Sequence, residues 1–483
     1  MPQFADGTKI SEAEWDRLLE SIPASYVVWK DTSTTPATYR AECLLKDGTD
    51  YSGADASTVI QSAINGLGTG GGKIQLKGDL GTLSASLTVP TGQSNLSIVG
   101  EGRVKTSLKA PASARAFSFI GASTQRNFVL KDMKIIGNGL ADTVYFEGLN
   151  EIYIENVEVD QGGIYFNTVY GIRIFNTLVW WSTGTPVANG KGLSFIASSD
   201  GEISVTVISG MGAEGVYTSD STLSFSLMEV SNCGNNAGSA SRDGFTLVDS
   251  PNVKITDSII LENYASGIRF YANSTPNCNS GIVSDNIIIR NSKVGVGIYD
   301  GVRIDGVAAI NYTLISNNQI YDDAVTQTQN YGVRTLASTD YIFIIGNRLT
   351  GNLTDGISYV GTHNIIRDNL GYGNIQSTEH HTALDLLTSS ESGSIHTNLG
   401  AAGSIKLTLP QDALAGMNFE FVVMTAQQLQ IDPGAAGAIY VNGAKQADDA
   451  YIWADDEGES VKLVADGNGD WIAIGAVGTW TVV

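Results

Sequence analysis

Residues 252–263 read NVKITDSIILEN and residues 281–291 read GIVSDNIIIRN, followed by YTLISNNQIYDD (312–323) and YIFIIGNRLTGN (341–352). Each stretch holds two short apolar segments split by a bend carrying Asn, Asp or Gly. Within a segment, apolar and polar residues alternate with the period of two that a half-buried β-strand requires. The unit occurs earlier as NLSIVGEG (95–102), RNFVLKDMKIIGNG (126–139), EIYIENVEV (151–159) and GIRIFNTLV (171–179), and later as NIIRDNLGYGN (364–374). After most units comes a glycine and one more short apolar strand: GGIYF, KGLSF, EGVYT, DGFTL, SGIRF, VGIYD, YGVRT, DGISY. The repeat length is roughly 20–30 residues, the range of stacked solenoids. One unit cannot bury its own apolar face, whereas stacked units bury a continuous core and pair each strand with the coils above and below at ~4.8 Å. The bend residues Asn156, Asn176, Asp257, Asp285, Asn317, Asn347 and Asp368 suit this role, because Asn and Asp tolerate left-handed turns and can bond along a ladder. Leucine-rich repeats are excluded by the missing L-x-x-L-x-L spacing. A propeller is excluded by the missing regular units of about 40–50 residues.

Outward from this core, residues 51–67 (YSGADASTVIQSAINGL) predict an amphipathic helix with Val59, Ile60, Ala63, Ile64 and Leu67 on one stripe. A strand, KIQLKG (73–78), follows it. Further upstream, SEAEWDRLLES (11–21) predicts a short helix capped by Ser11, and YVVWK (26–30) with TYRAECLL (38–45) predicts a small hairpin. This N-terminal segment is either a partner-docking element or the start of the main domain. After about residue 379 the repeat stops. SIKLTLP, NFEFVVM, QLQIDPG, AIYVNG, ESVKLVADGNGDWIAIG and GTWTVV then alternate with turns, the pattern of a small antiparallel β-sandwich. The expected organisation is an N-terminal segment (1–47), a stacked-coil domain (48–377), a connector (378–393) and a sandwich (394–483).

The entry segment YSGADASTVIQSAIN…GGGKIQLKG and the recurring I-x-x-N-x-I…G-I pattern, over about residues 51–374, resemble the right-handed parallel β-helix of the pectate-lyase superfamily. The organisation resembles viral tailspikes, and the ESVKLVADGNGDW…GTW ending is similar to C-terminal domains of viral tail and fibre proteins, where such domains assist trimerisation or glycan contact. The resemblance implies an all-β protein, a right-handed parallel β-helix with a C-terminal antiparallel β-sandwich. It further implies a homotrimer, a polysaccharide partner, and a location outside the cell or on a virion surface. It leaves the activity open, because the fold carries lyases, hydrolases, epimerases and adhesins.

Composition narrows the partners. Lys plus Arg number 28 and Asp plus Glu 50, a net charge of −22, which argues against nucleic acid and anionic membranes. There is no run of 18 apolar residues, so no membrane insertion is expected, and the N-terminus shows no secretory signal. Cys43, Cys233 and Cys278 are widely spaced, which fits buried thiols rather than disulfides or a zinc site. No cofactor and no metal is expected. GLGTGGG (66–72) lacks the Lys-Ser/Thr of a phosphate loop, and His380 and His381 are expected to be solvated.

The glycine-led strands can be aligned coil by coil. Residues Ile164, Leu193, Val216, Phe245, Ile268, Ile298, Val333 and Ile357 should point inward. Their successors, Tyr165, Ser194, Tyr217, Thr246, Arg269, Tyr299, Arg334 and Ser358, should then point outward, with Tyr145 ahead of them. Tyr rings suit sugar faces and Arg forks suit hydroxyls or carboxylates, so Tyr165, Tyr217, Arg269, Tyr299, Arg334 and Trp181 are the candidate substrate-binding residues. The alternative is a column that packs against a subunit or loop. The residues before the glycines read Gly162, Lys191, Glu214, Asp243, Ser266, Val296, Tyr331 and Asp355, also expected to face outward. Glu214 and Asp243 fall on neighbouring coils, an acid pair for glycoside hydrolysis. Asp300 and Asp305 are reserve candidates, then Asp322 with Asp323. The polygalacturonase motifs and the R-x-P-x-x-R of pectate lyases are absent, so the family cannot assign these roles. The reading is a polysaccharide depolymerase acting as a glycoside hydrolase, with a polysaccharide lyase and a non-catalytic glycan-binding fibre as alternatives.

Overall fold

A computed structural model describes residues 24–45, 48–238, 242–273, 278–336, 339–361, 363–372, 378–411, 413–435 and 437–483. The helix expected at 11–21 lies outside the described residues. The chain divides into two compact units, one of Met1–Thr339, Gly346–Val360 and Asn369–Tyr372, the other of Asp340–Ile345, Gly361–Asp368 and Gly373–Val483.

The first unit is a parallel solenoid. It opens with the expected hairpin, Tyr26–Asp31 paired antiparallel with Thr38–Cys43, and Tyr26–Asp31 also pairs parallel with Gly72–Lys77. The helix Ala56–Gly66 follows, with Asp55 as its N-cap accepting from the Thr58 N–H, and it buries Val59, Ile60, Ala63 and Ile64 as the stripe predicts. Each later coil contributes to two faces. On one, long strands fork: Asn150–Asp160 pairs parallel with Arg126–Ile136, then with both Tyr170–Phe175 and Leu178–Trp180. The other face is a sheet of eleven strands among the described residues, running from Leu87–Thr88 to Asp355–Ser358. Its pairings are all parallel and couple one coil to the next, as in Phe245↔Ile268 and Ile268↔Val302. Inside, phenylalanines fill the tube. Phe146, Phe166 and Phe195 stack face to face at 5.4 and 4.9 Å, and Phe225 and Phe245 continue edge-on.

Two columns of side-chain amides run beside this core. In one, the Asn286, Asn318 and Asn347 N–H groups donate to the carboxamide oxygens of Asn318, Asn347 and Asn369 at 2.9–3.0 Å. Their amide nitrogens bond onward to the next oxygen and to strand carbonyls. Asn263, Asn291, Gln329 and Asn352 form the second column. The bends themselves hold Asn156, Asn176, Asp257, Asp285, Asn317 and Asp368, all at positive φ. The bend and the ladder are therefore adjacent columns, and Asn347 belongs to the ladder, one residue after Gly346 at φ 69.

Beside the second ladder stands a column of glycines. A Cβ at Gly244, Gly267, Gly301 or Gly332 would meet the carbonyl oxygen of the next glycine in the column (Gly267, Gly301, Gly332 and Gly356 in turn) at 2.6–2.7 Å, and the ladder amide at 2.7–3.1 Å. These glycines are required by close approach, not by an unusual φ.

Among the described residues the second unit carries a seven-stranded and a five-stranded sheet over a core that includes Leu407, Phe419, Phe421, Ile431, Leu463 and Trp471. Both sheets mix directions. Thr378–His380, Ile395–Thr397 and Asn418–Val422 run parallel, while Asn418–Val422, Ser460–Ala465 and Trp471–Val477 run antiparallel.

Gly267→Ala should destabilise the solenoid by about 3 kcal/mol, the upper range for overpacking, because backbone rather than a flexible side chain blocks the methyl. Asn318→Ala should cost a similar ~3 kcal/mol by orphaning buried groups of Asn286, Asn347 and Val283. Chemical denaturation of both variants checks this, and wild-type midpoints would refute the ladder's role.

Candidate functional site

The outward column lies on the eleven-stranded sheet. Tyr145, Tyr165, Ser194, Tyr217, Thr246 and Arg269 stand side by side on successive strands, as expected. The next coil differs. Arg269 is partnered by Arg303, and Arg303 by Arg334. Tyr299 sits in the loop before the strand, where its N–H bonds Ser292 Oγ at 3.1 Å, and Ile298, expected to be buried, is 49% exposed. The strand of this coil is Val302–Gly306, so the repeat is DGVRI (300–304) rather than VGIYD (296–300). Both stretches fit the glycine-led pattern. The longer alternation of Val302-Arg303-Ile304-Asp305 is the signal that separates them.

The corrected register moves Asp300 into the column of residues before the glycines, alongside Glu214, Asp243 and Ser266. Backbone bonds confirm this order: the Gly215, Gly244, Gly267 and Gly301 N–H groups donate to Asp243, Ser266, Asp300 and Tyr331 carbonyls in turn. Glu214 and Asp243 were expected to be exposed, whereas Asp300, which follows Tyr299, was expected by alternation to lean inward. All three are buried, with Glu214 4% exposed, Asp243 2% and Asp300 0%. They sit at the corner ahead of the strand, where strict alternation has not begun. Their carboxylates engage the outward column and the next corner: Asp243 accepts from Thr246 Oγ1 at 2.9 Å and from the Ser266 N–H at 2.8 Å.

Around Asp300 the column becomes a charge cluster. Asp305 takes a two-pronged bond from Arg269, at 2.9 and 3.0 Å, and a third from Arg303 Nε at 2.9 Å. Arg303 Nη1 is 3.8 Å from Asp300 Oδ2. Asp300 Oδ1 accepts from the Tyr331 N–H at 3.3 Å, while the buried Oδ2 makes no hydrogen bond. Burial pushes the Asp300 carboxyl up to about 6, outweighing the opposite pull of Arg303, Arg334 and the Tyr331 N–H. Nε of Arg334 is likewise buried without a hydrogen bond. Asp300 and Asp305, the reserve pair, are thus brought together with Asp243, Arg269 and Arg334, and Arg303 is the member that sequence reasoning missed.

The other candidates lie apart from this cluster. Tyr145 and Tyr165 stack at 5.3 Å, with the Arg115 guanidinium 3.9 Å from the Tyr145 ring centre. Lys191 Nζ lies 3.4 Å over Tyr217, whose hydroxyl is pushed up by burial and then by Glu214. Trp181 follows the forked-face strand Leu178–Trp180, and its ring approaches the position where Gly190 has no side chain, so it packs with the 182–192 loop. Asp322 is a turn acid, accepting the Ala324, Thr328 and Gln329 N–H groups, and Asp323 is exposed beside Arg290. Cys233 and Cys278 are buried free thiols. In the second unit His381 is 5% exposed and His396 is fully buried, so the expectation of a solvated His381 is corrected.

Two family models match the chain: the right-handed β-helix region over residues 120–306 and the periplasmic copper-binding protein NosD over residues 229–399. No curated protein sequence matches it. Among solved structures, the catalytic domain of a GH87 α-1,3-glucanase bound to nigerose is similar at 14% identity and TM-score 0.50, covering 74% of this chain and 63% of that one. The A-module of the Azotobacter vinelandii mannuronan C-5 epimerase AlgE4 matches at 19% identity and TM-score 0.46, covering 67% and 97%. The Dettilon tailspike protein matches at 14% and 0.49, covering 87% and 76%. With the parallel register of the coils, the β-helix family match and the likeness to the glucanase domain show the architecture: the chain is a right-handed parallel β-helix protein.

Proposed function

We propose that the outward face of the eleven-stranded sheet binds a polysaccharide and cleaves it by glycoside hydrolysis, with Asp300 as proton donor and Asp243 as the base that activates water. The observation that carries this reading is Asp300, a fully buried carboxyl pushed up to about 6 on the arginine-rich column. Such a group keeps its proton in mildly acidic solution, where an ordinary carboxyl has lost it, and can give it to a leaving glycosidic oxygen. The C–O bond then breaks, and water adds at the anomeric carbon as Asp243 takes its proton. Asp243 and Asp300 are two strands apart, about 10 Å at the backbone, and carboxyls leaning together suit the ~6.5–9.5 Å separation of inverting enzymes. Arg303 and Arg334 cap the acid, and a sugar that draws them outward uncovers it. Tyr145, Tyr165 and Tyr217 supply flat rings for further sugar units. The likeness to the catalytic domain of an α-1,3-glucanase supports a carbohydrate-acting reading. Glu214, one strand from Asp243, is the alternative partner acid.

One observation favours a second reading, a polysaccharide lyase. Arg269, Arg303 and Arg334 stand on three consecutive strands, an arrangement that can neutralise a uronate carboxylate before β-elimination. We also read the protein as one of three identical chains acting outside a cell or on a virion surface. Exposed Ile474 and Val477 on one strand of the second unit offer apolar surface for self-association.

A polysaccharide screen should release reducing ends without unsaturated, ultraviolet-absorbing products; the absorbing product would establish the lyase, and binding without either signal a non-catalytic fibre. Asp300→Asn and Asp243→Asn should each lower kcat by ~10²-fold or more with binding retained, whereas Glu214→Gln should stay within about tenfold. The reverse ranking would move the acid pair to Glu214 and Asp243.

Asp300 also sets a pH dependence of stability. Its folded value, about 6, lies above the ordinary 3.8 of an aspartate, so the fold takes up a proton that the unfolded chain does not as pH falls from about 6 to 4. This contribution favours the fold at low pH and is lost as pH rises through 6, costing up to ~3 kcal/mol at neutrality. Asp300→Asn should raise Tm at pH 8 and flatten this part of the Tm–pH profile. Profiles with identical slopes would show that Asp300 ionises normally.

Light scattering should return three times the 51.0 kDa chain mass; a single chain mass would remove the trimer.

A further inference from the structure

We propose that Glu379, His381 and His396 form a binding site for a divalent transition-metal cation of the zinc type, within the second unit and separate from the outward column. The backbone dictates the meeting. Thr378–His380 pairs parallel with Ile395–Thr397 so that Glu379 lies opposite His396, and His381 follows two residues after Glu379. The ligand atoms of all three lie within 4.8 Å of one another. His381 Nε2 is 2.9 Å from His396 Nδ1, and Glu379 Oε2 is 4.0 Å from the same Nδ1.

Hydrogen-bond accounting shows what belongs between them. Ser394 Oγ is 2.5 Å from the Glu391 carbonyl, which only accepts, so the hydroxyl proton is committed there. The serine oxygen must then accept from His396 Nε2, 2.6 Å away, which leaves a lone pair on His396 Nδ1. At the other end His381 Nδ1 is 3.2 Å from the Asp385 carboxylate and must carry a proton, which leaves a lone pair on Nε2. Two neutral imidazoles thus face each other lone pair to lone pair, beside a carboxylate oxygen. A proton between them would make a buried imidazolium. A metal cation satisfies all three donors without one.

The geometry is near that of a four-coordinate ion. Metal–ligand bonds of about 2.0–2.1 Å put tetrahedral donors about 3.4 Å apart. The imidazoles need to part by about half an ångström, and the carboxylate to close by a similar amount on His396 and by up to about 1.4 Å on His381. Asp385 and Ser394 already orient the outer nitrogens, as outer-shell partners of metal-bound histidines do. Three protein ligands leave a fourth position for water.

Untagged, metal-stripped protein titrated with Co2+ should bind one equivalent, with the intense visible bands of four-coordinate cobalt. Zn2+ should displace it and raise Tm. His381→Gln should abolish the bands, and Glu379→Gln, on a part-exposed side chain, should weaken binding at least tenfold while keeping the wild-type circular dichroism spectrum. His380→Ala should bind as wild type. No stoichiometric binding by the wild-type chain, or binding unchanged in both ligand variants, would overturn the site.

Discussion

The close stacking of one glycine on the next, beside an unbroken column of buried amides, is the constraint on which the solenoid depends. Strand pairing alone would set the rise per coil. The glycine column sets how tightly the corner closes, because the carbonyl of each glycine occupies the space a Cβ would fill on its neighbour. The amide ladder satisfies the polar groups this closure buries, which would otherwise each cost a desolvation penalty. Phenylalanine stacking then fills the space the corners enclose. The order matters: the aromatic core can stack because the corners hold adjacent coils in register.

Much of this was legible in the amino-acid order. Alternation of period two, recurring Asn and Asp, and a glycine before each third strand determine a stacked solenoid, and the helix Ala56–Gly66 buries the stripe its spacing announces. Two features were hidden for physical reasons. The bend residue and the ladder residue are neighbours, so Asn317 and Asn318 look interchangeable in sequence although one turns the chain and the other bonds along the ladder. And VGIYD with DGVRI overlap, so the pattern of glycine and apolar residue fits twice within ten residues. Choosing the first placed Tyr299 on the face and concealed Arg303. The burial of Glu214 and Asp243 was not legible, because it depends on a corner where alternation does not hold. The meeting of His381 with His396 was not legible either, since it rests on the pairing of strands 15 residues apart.

The acids and arginines of the outward face share a low-dielectric corner, and their properties are collective. Asp305 binds Arg269 and Arg303 together, so neither guanidinium is free to neutralise Asp300 fully. Asp300 therefore keeps the desolvation penalty as a raised affinity for its proton. An arginine column without Asp305 would pull that affinity back toward an ordinary carboxylate. The identity of the residue at 305 thus tunes the proton affinity at 300.

The glycine column has a consequence for how such a protein can change. A residue lost or gained within a corner would slide glycine, amide and bend out of register with both neighbouring coils, and the error could not be absorbed locally. The loops that leave the corners, such as residues 182–192, carry no such bookkeeping, and lengthening them adds only a slowly growing closure entropy. Variation is therefore channelled: whole coils can be duplicated or removed, single outward residues can be exchanged, and loops can grow, while the corners stay as they are. The outward face is free to diverge because the spine behind it is not.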